Sequence, residues 1–404
     1  MKILILSQHF YPENFRINDI AKELSKKNDI SVVTGKPNYH TGYISPGYKK
    51  YKYNLNYLNN IAVHRVPIFP RGKKKNFLTF SLNYLSFIVS TIAYHKKFFK
   101  KDYDLAFIYA TSPLLQALPL ILLRKKLKCP IIIWVQDLWP ESVIETGYIK
   151  NKLIIKLIRN LVSYIYKNVD YIFIQSKYFV NSIKSFNRDY LKKTWIYENP
   201  SEDFSKFKIR KKTINNKNKI ITYSGNLGHA QDLDVFIELA KKFKKNNDKF
   251  VIHIYGEGTQ KSYLKSGIIK NKLNDFIKIH NYLKPNLLYK ELAKSDFLLI
   301  TLRGSDAFSK TIPGKFQTYL YFGKPLLVVA KGYLIKKIKD YSLGEYTSPG
   351  SYNILYKKIL NLSKNNKKIK MYSQNCKLLY INKYNIKNSV ECLLNKFKEL
   401  IYQN

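Results

Sequence analysis

The feature that most constrains this chain is an alternation of short apolar runs with helical patterns, interrupted once and then resumed. Before the interruption the apolar runs are ILILS (3–7), ISVVTG (30–35), IAVHRV (61–66), LAFIYA (105–110), IIIWVQ (131–136) and YIFIQS (171–176). After it come KIITYSG (219–225), FVIHIYG (250–256), FIKIHNY (276–282), FLLITL (297–302) and PLLVVA (325–330). Runs of this length separated by helices predict parallel strands with crossover helices. The stretch from 199 to 218, rich in lysine and asparagine, has the composition of a linker. The 404 residues also exceed the roughly 250 to 300 over which one core usually grows. The expected architecture is therefore α/β, with two doubly wound, Rossmann-like domains facing each other across a cleft. Its parts are an N-terminal domain (1–198), the linker (199–218), a second domain (219–375) and a helical tail (376–404) able to pack back on the first domain.

In such sheets ligands sit beyond the carboxyl ends of the strands, so the residues following each strand are the candidates. In the second half, Gly225-Asn226-Leu227-Gly228 follows a strand and precedes a helix, and Gly256-Glu257-Gly258 repeats the device. Glycine lets a backbone approach a phosphate, and a helix N-terminus favours an anion; an ordinary strand-to-helix turn is the plainer alternative. Lys315, in Ile312-Pro313-Gly314-Lys315, would place a cation beside the first amides of a helix, an arrangement that suits a diphosphate. Arg303 ends a strand in the same half, and Arg16 follows the first strand of the other half. Asp137 and Glu141 lie in WVQDLWPES, where a carboxylate at a strand end can accept a proton from an attacking hydroxyl or can cap the next helix.

Two Asp-x-Asp sequences are expected to be structural. Asp102-Tyr103-Asp104 precedes its strand and so falls on the wrong edge of the sheet, and Asp232-Leu233-Asp234 complements a helix start. No histidine spacing suggests a metal, and none is expected. Three widely spaced cysteines (Cys129, Cys376, Cys392) fit a reducing cytosol without disulfides.

The charge is lopsided, with 71 Lys+Arg against 27 Asp+Glu for a net +44. Only 8 of the basic residues are Arg, which argues against nucleic acid, where the guanidinium fork does most of the reading. Much of the lysine accompanies Asn, Ile, Tyr and Phe, as A/T-rich coding would produce without selection for a partner. The alternative is an anionic membrane surface. NFLTFSLNYLSFIVSTIAY (76–94) is flanked by Arg71, Lys73, Lys74 and Lys75 before it and Lys96, Lys97, Lys100 and Lys101 after it. That pattern fits a helix lying at a bilayer interface, or one packed on a sheet, better than a spanning helix.

Several segments resemble one family. YPENFRINDIAKEL, TGKPNYHTGYISPGY (34–48), VQDLWPES (135–142), GYIKN (147–151), YSGNLGHAQDLD (223–234), YGEGTQKSYL (255–264) and IPGKFQTYLYFGKPLL (312–327) are similar to bacterial glycosyltransferases of family 4, which have the GT-B architecture. Within that family they resemble the WbuB-like enzymes of capsule, O-antigen and exopolysaccharide assembly.

The resemblance implies a retaining, metal-independent transfer of a sugar from a UDP-linked donor to a lipid-linked or saccharide acceptor. The donor would be held by the C-terminal domain, at the inner face of the membrane, and N-acetyl-L-fucosamine is one donor sugar of the subgroup. On this reading Lys315, Arg303 and Asp137 are catalytic. Asn14, Arg16, Gly225, Asn226, Gly256, Gly314 and Thr318 line the donor side, and Glu141 lies on the acceptor side. The chain departs from the family at Lys310 and Thr318, where two glutamates are usual. It departs again at Asn226 and Gln231, which replace an Arg and a Lys, at Gly314, which replaces a serine, and at Asn14-Phe15, which replace paired glycines. A nucleotide-sugar epimerase on the same fold is the alternative enzyme, and a nucleic-acid-binding protein the alternative outside enzymes.

Overall fold

The computed structural model describes the chain apart from residues 40, 49–50, 73–76, 101, 146–148, 150, 208–217, 305–308 and 403–404. It divides into two compact units, Met1–Asn199 with Ile386–Asn404, and Pro200–Asn385.

The first unit is built on the strands β1 (Lys2–Leu6), β2 (Asp29–Gly35), β3 (Asn54–Leu58), β4 (Ile61–Val66), β5 (Leu105–Ala110), β6 (Ile131–Val135), β7 (Tyr171–Ile174) and β8 (Thr194–Ile196). Among the described residues they form one sheet in the order β3-β4-β2-β1-β5-β6-β7-β8. Every pairing is parallel except β3 with β4, where Asn54 lies opposite Arg65. The central strands are buried at nearly every position, as a sheet covered on both faces requires. One face is covered by helices α1 (Arg16–Leu24), which fills the crossover from β1 to β2, and the C-terminal helix described below. The other carries α2 (Phe77–Ala93), α3 (His95–Phe98), α4 (Leu118–Leu122), α5 (Arg124–Leu127), α6 (Glu141–Glu145), α7 (Lys152–Lys167) and α8 (Phe179–Lys184). No described helix is long and apolar enough to cross a membrane.

The second unit orders β9 (Lys219–Ser224), β10 (Phe250–Tyr255), β11 (Ile277–His280), β12 (Phe297–Thr301), β13 (Leu326–Val329) and β14 (Gly344–Thr347) as β11-β10-β9-β12-β13-β14, all parallel. Its helices are α9 (Asp234–Lys245), α10 (Lys261–Lys270), α11 (Pro285–Lys294), α12 (Lys315–Phe322), α13 (Tyr333–Asp340), α14 (Tyr352–Ser363) and α15 (Asn366–Leu379). In each sheet the winding direction reverses beside the first strand of the unit, between β1 and β5 and between β9 and β12. Those two places are the switch points where ligands of this fold bind.

The unit boundaries differ from the sequence expectation in two ways. The second unit begins at Pro200 rather than after a long linker, because Phe204 is buried and stacks on Tyr321 with ring centroids 3.9 Å apart. The rest of the expected linker, 208–217, lies outside the described residues. The tail returns to the first unit at Ile386 rather than 376. Cys376 is fully buried in α15, within the second unit, whereas α16 (Ile386–Tyr402) places Ile386, Val390, Leu393, Phe397 and Leu400 against the first sheet. Phe397 meets Phe107 at 5.1 Å between centroids, and the Ser389 hydroxyl donates to Tyr197 Oη at 3.0 Å.

Candidate functional site

At the switch point of the second unit, β9 runs into Gly225-Asn226-Leu227-Gly228 and β10 into Gly256-Glu257-Gly258. The two turns are laced together: Gly225 N donates to Tyr255 O (2.9 Å), Leu227 N to Glu257 O (2.8 Å) and Gln260 N to Leu227 O (2.8 Å). This lacing explains two of the glycines. A Cβ on Gly256 would lie 1.9 Å from the Gly225 carbonyl oxygen, and one on Gly258 2.3 Å from that of Leu227. The structure thus gives Gly256 a packing task of its own. Gly225 is different. Its φ of +138° suits glycine, and a Cβ there would meet the Lys315 side chain, 2.8 Å from Cε and 3.0 Å from Nζ. The bare backbone of the first turn is the surface against which this lysine rests.

Lys315 opens α12, and Gly314 before it provides no side-chain cap for the helix. One tyrosine holds the lysine and a second holds its helix. Its Nζ donates to Tyr223 Oη at 3.1 Å and sits 4.6 Å from the centre of that ring, while Tyr223 donates in turn to the Asn226 carbonyl at 2.7 Å. Tyr319, one turn further along α12, accepts from Ser224 N at 2.8 Å and so ties the helix to the end of β9. Burial pushes the Lys315 ammonium down to about 8. Among the described residues no carboxylate pairs with it. A partly buried cation beside glycine backbone and an uncapped helix start has the chemistry to attract an anion.

The other donor-side candidates are placed less directly. Thr318 is buried, and its hydroxyl donates to Glu202 Oε2 at 2.7 Å, so a carboxylate from the start of the unit reaches this turn of α12. Asn226 is exposed, and no atom lies within 4 Å of a Cβ built on Gly314. Arg303 is exposed; its backbone N–H donates to Ala230 O at 2.9 Å and its charge acts on Asp232. Asp232 accepts from Tyr352 Oη at 2.7 and 2.9 Å, and Asp234 accepts from Tyr263 Oη at 2.5 Å. Both aspartates are thus engaged in the scaffold, and Asp104 likewise accepts from Lys2 N at 2.7 Å. Among the described residues no three His, Cys, Asp or Glu side chains are grouped to hold a metal ion.

At the switch point of the first unit the loop after β1 folds around Glu13, a residue that sequence reasoning passed over. One Glu13 oxygen accepts the amides of Asn38 (2.6 Å) and Tyr39, and the other faces His9 Nδ1 at 3.2 Å. Burial pushes this carboxyl up, but the His9 hydrogen bond, the His9 charge and the two amides outweigh it, leaving the group below its ordinary value. His9, Phe15 and Tyr39 pack their rings about it, with centroids 4.9 to 5.2 Å apart. The Arg71 guanidinium lies over Tyr39 at 4.5 Å, and the Arg71 backbone N–H donates to Asn38 Oδ1 at 3.1 Å. Only the Tyr-Pro-Glu-Asn turn ahead of α1 signals this cluster in the sequence.

Arg16 begins α1 and Asp137 lies two residues beyond β6, and both act electrostatically on one buried phenol. Burial raises Tyr109; Arg16 lowers it and Asp137 raises it further. Asp137 Oδ2 accepts from Ser112 N at 3.2 Å, and burial holds the carboxyl above its ordinary range despite that bond. Asn14 is exposed. Glu141 opens α6, and its buried Oε2 has no hydrogen-bond partner among the described residues. A second group missed from sequence lies beside Asp137: Asn199 Nδ2 donates to Gln136 Oε1 (2.8 Å) and Gln175 Oε1 (2.9 Å). Gln136 Nε2 and Asn199 Oδ1 are left unmatched among the described residues. A free donor and a free acceptor at the carboxyl ends of strands suit a polyhydroxylated ligand.

The family model of glycosyl transferases group 1 matches residues 204–378, most of the second unit. The probable glycosyltransferase WbjE of Pseudomonas aeruginosa is 25% identical over 244 residues, 57% of this chain, and the match spans 58% of that relative's length. Sucrose-phosphate synthase from Thermosynechococcus elongatus superposes with a TM-score of 0.74 over 100% of both chains at 12% identity. The Anabaena protein HepE, in complex with UDP and glucose, does so with a TM-score of 0.67 over 99% of this chain and 100% of its own at 13% identity. With two parallel α/β units of this topology, the chain has the GT-B fold, and its residues 204–378 are similar to the glycosyl transferases of group 1.

Proposed function

We propose that the chain transfers a sugar from a UDP-linked donor to a lipid-linked or saccharide acceptor in the assembly of a surface polysaccharide. The reaction would retain the anomeric configuration and use no metal, at the inner face of the membrane. The observation that carries this reading is the Lys315 ammonium held against the Gly225 backbone at the start of α12, with no carboxylate paired to it among the described residues. In transfer from a nucleotide sugar the bond from the anomeric carbon to the diphosphate oxygen breaks, and negative charge grows on that diphosphate. A fixed ammonium, glycine amides and a helix start stabilise that charge where it develops, the task that a divalent ion performs elsewhere. Asp137 is the catalytic carboxylate, with Glu141 on the acceptor side: a carboxyl held above its ordinary range is a better proton acceptor for the incoming hydroxyl. The matched domain and the UDP bound to HepE support the donor class. Likeness to capsule and O-antigen enzymes supports the acceptor class, with an N-acetylated amino sugar such as N-acetyl-L-fucosamine as the donor sugar.

The test is a panel of UDP-sugars offered with lipid-linked acceptors and read by mass, with and without chelator. Transfer that persists in chelator is the expected result. A product that forms without any acceptor, or only with added metal, would sink the reading. Asp137→Asn should keep UDP affinity and lose most of the transfer.

A further inference from the structure

The helices α2, α4 and α7 lie on one face of the first sheet: Phe87, Leu120 and Val162 share a core cluster with Leu6 and Ile133. The turn at Leu114–Ala117 packs against both α2 and α7 and bridges them. What this layer shows outward is apolar. Leu78, Leu82, Leu85 and Val89 are exposed on α2, spaced by four, three and four residues and so aligned along a single side of the helix, with Leu78 66% and Val89 64% accessible. On α7 the residues Leu153 (76%), Leu157 (66%) and Tyr164 repeat the arrangement. The helices α2, α3, α4, α5 and α7 contain no acidic residue, whereas exposed Lys96, Lys97, Lys125, Lys126, Lys152 and Lys156 stand on α3, α5 and α7. On this face the short α6 adds Glu141 and Glu145, while on the opposite face α1 carries Asp19 and Glu23 and α16 carries Glu391 and Glu399.

We propose that this helical layer docks the protein on an anionic lipid bilayer, with the α2 and α7 stripes lying in the interfacial region and the lysines over the headgroups. Charge complementarity selects that occupant. Exposed leucines carried among lysines, with no acid on the same helices, match an apolar interior beneath negative headgroups. A second copy of the chain would bring lysines against lysines. The helices lie on the surface rather than cross it, since no described helix is long and apolar enough to span. In the sequence the basic flanks of 76–94 pointed to the α2 segment; the α7 stripe emerges only from the packing. The proposal rests on the membrane placement in the proposed function and deepens it, but its failure is distinguishable from failure of the transfer reading, because vesicles test the surface and UDP tests the site.

The full chain is sedimented with vesicles of phosphatidylcholine alone or mixed with phosphatidylglycerol, across a salt series. Binding should require phosphatidylglycerol and weaken with salt. The pairs Leu153→Asp with Leu157→Asp, and Leu82→Asp with Leu85→Asp, should each lower partitioning by at least on the order of tenfold, while UDP affinity and melting temperature stay unchanged. Lys125→Glu with Lys126→Glu, a change confined to surface charge, should weaken binding to the anionic vesicles alone. Binding indifferent to phosphatidylglycerol, leucine variants that still bind, or a dimer abolished by those variants without any vesicle binding would each overturn the proposal.

Discussion

The two switch points share a topology and differ in chemistry. At the end of β9 the chain removes side chains and acids, leaving glycine backbone, a helix start and Lys315. At the end of β1 it gathers side chains, a buried carboxylate ringed by amides, aromatic rings and an arginine. The difference teaches that the fold supplies the crevice while the loops decide what charge it accepts. The second switch point offers bare backbone and a cation, the first buried polar and aromatic side chains around a carboxylate. The sharpest way to break this contrast is Lys315→Ala. Removing one preorganised donor to a developing anion costs on the order of 10²–10³ in turnover, so the variant should lose roughly that much in kcat while its circular dichroism is unchanged. Wild-type turnover in a folded variant would leave the second unit without its defining cation.

Glu13→Gln tests the other side of the comparison. A neutral amide can still accept one hydrogen bond, but its NH₂ would face donors now satisfied by a carboxylate. A buried hydrogen bond to a charged group is worth about 1.5–3 kcal/mol, and thermal unfolding of the full chain should register a loss of that order. UDP affinity should not change if the two sites are chemically separate. The sign of the pH effect follows from the lowered pKa. The ionised carboxylate contributes stability above its ordinary value of 4.5, and that share is lost only as pH falls through the lower folded value. In Glu13→Gln this acid limb should be missing.

A smaller effect separates two glycines of the second unit. Gly256→Ala drives a methyl to 1.9 Å from the Gly225 carbonyl, so the laced turns must part, at about 1–3 kcal/mol of stability and with weaker UDP binding. Gly314→Ala enters open space and should be near neutral by both measures. Equal effects from the two would mean that the glycine turns do not shape the site.

The central strands were legible because a strand buried on both faces must be apolar throughout, as LAFIYA and IIIWV are. The strands that escaped are edge strands or short: β3 reads NLNYL with its middle residues exposed, β8 has 3 residues, and β14 reads GEYT. An edge strand pairs on one side only and needs little apolar sequence to hold it. The site divides in the same way. The glycine turns and the Pro-Gly-Lys start of α12 are each local and could be read from spacing, but the contact of Lys315 with Tyr223 spans 92 residues and needed the fold. Glu13, Asn38 and Arg71 come from three separate loops, and the contact of Glu202 with Thr318 spans 116 residues, so only the fold brings them together.

The gentlest test varies pH alone. Burial holds the Lys315 ammonium at about 8 when no ligand is bound, and a diphosphate beside it would raise that value by favouring the charged form. Binding therefore takes up a proton once pH exceeds about 8, and above that point UDP affinity should fall by roughly tenfold per pH unit until the bound-state pKa is reached. Calorimetry in buffers of different ionisation enthalpy reads the proton uptake directly. No comparable limb should accompany Glu13, which is ionised throughout this range. In Lys315→Ala the profile should be flat near pH 8. A slope that survived in that variant would assign the titration to another group and remove the electrostatic distinction between the two switch points.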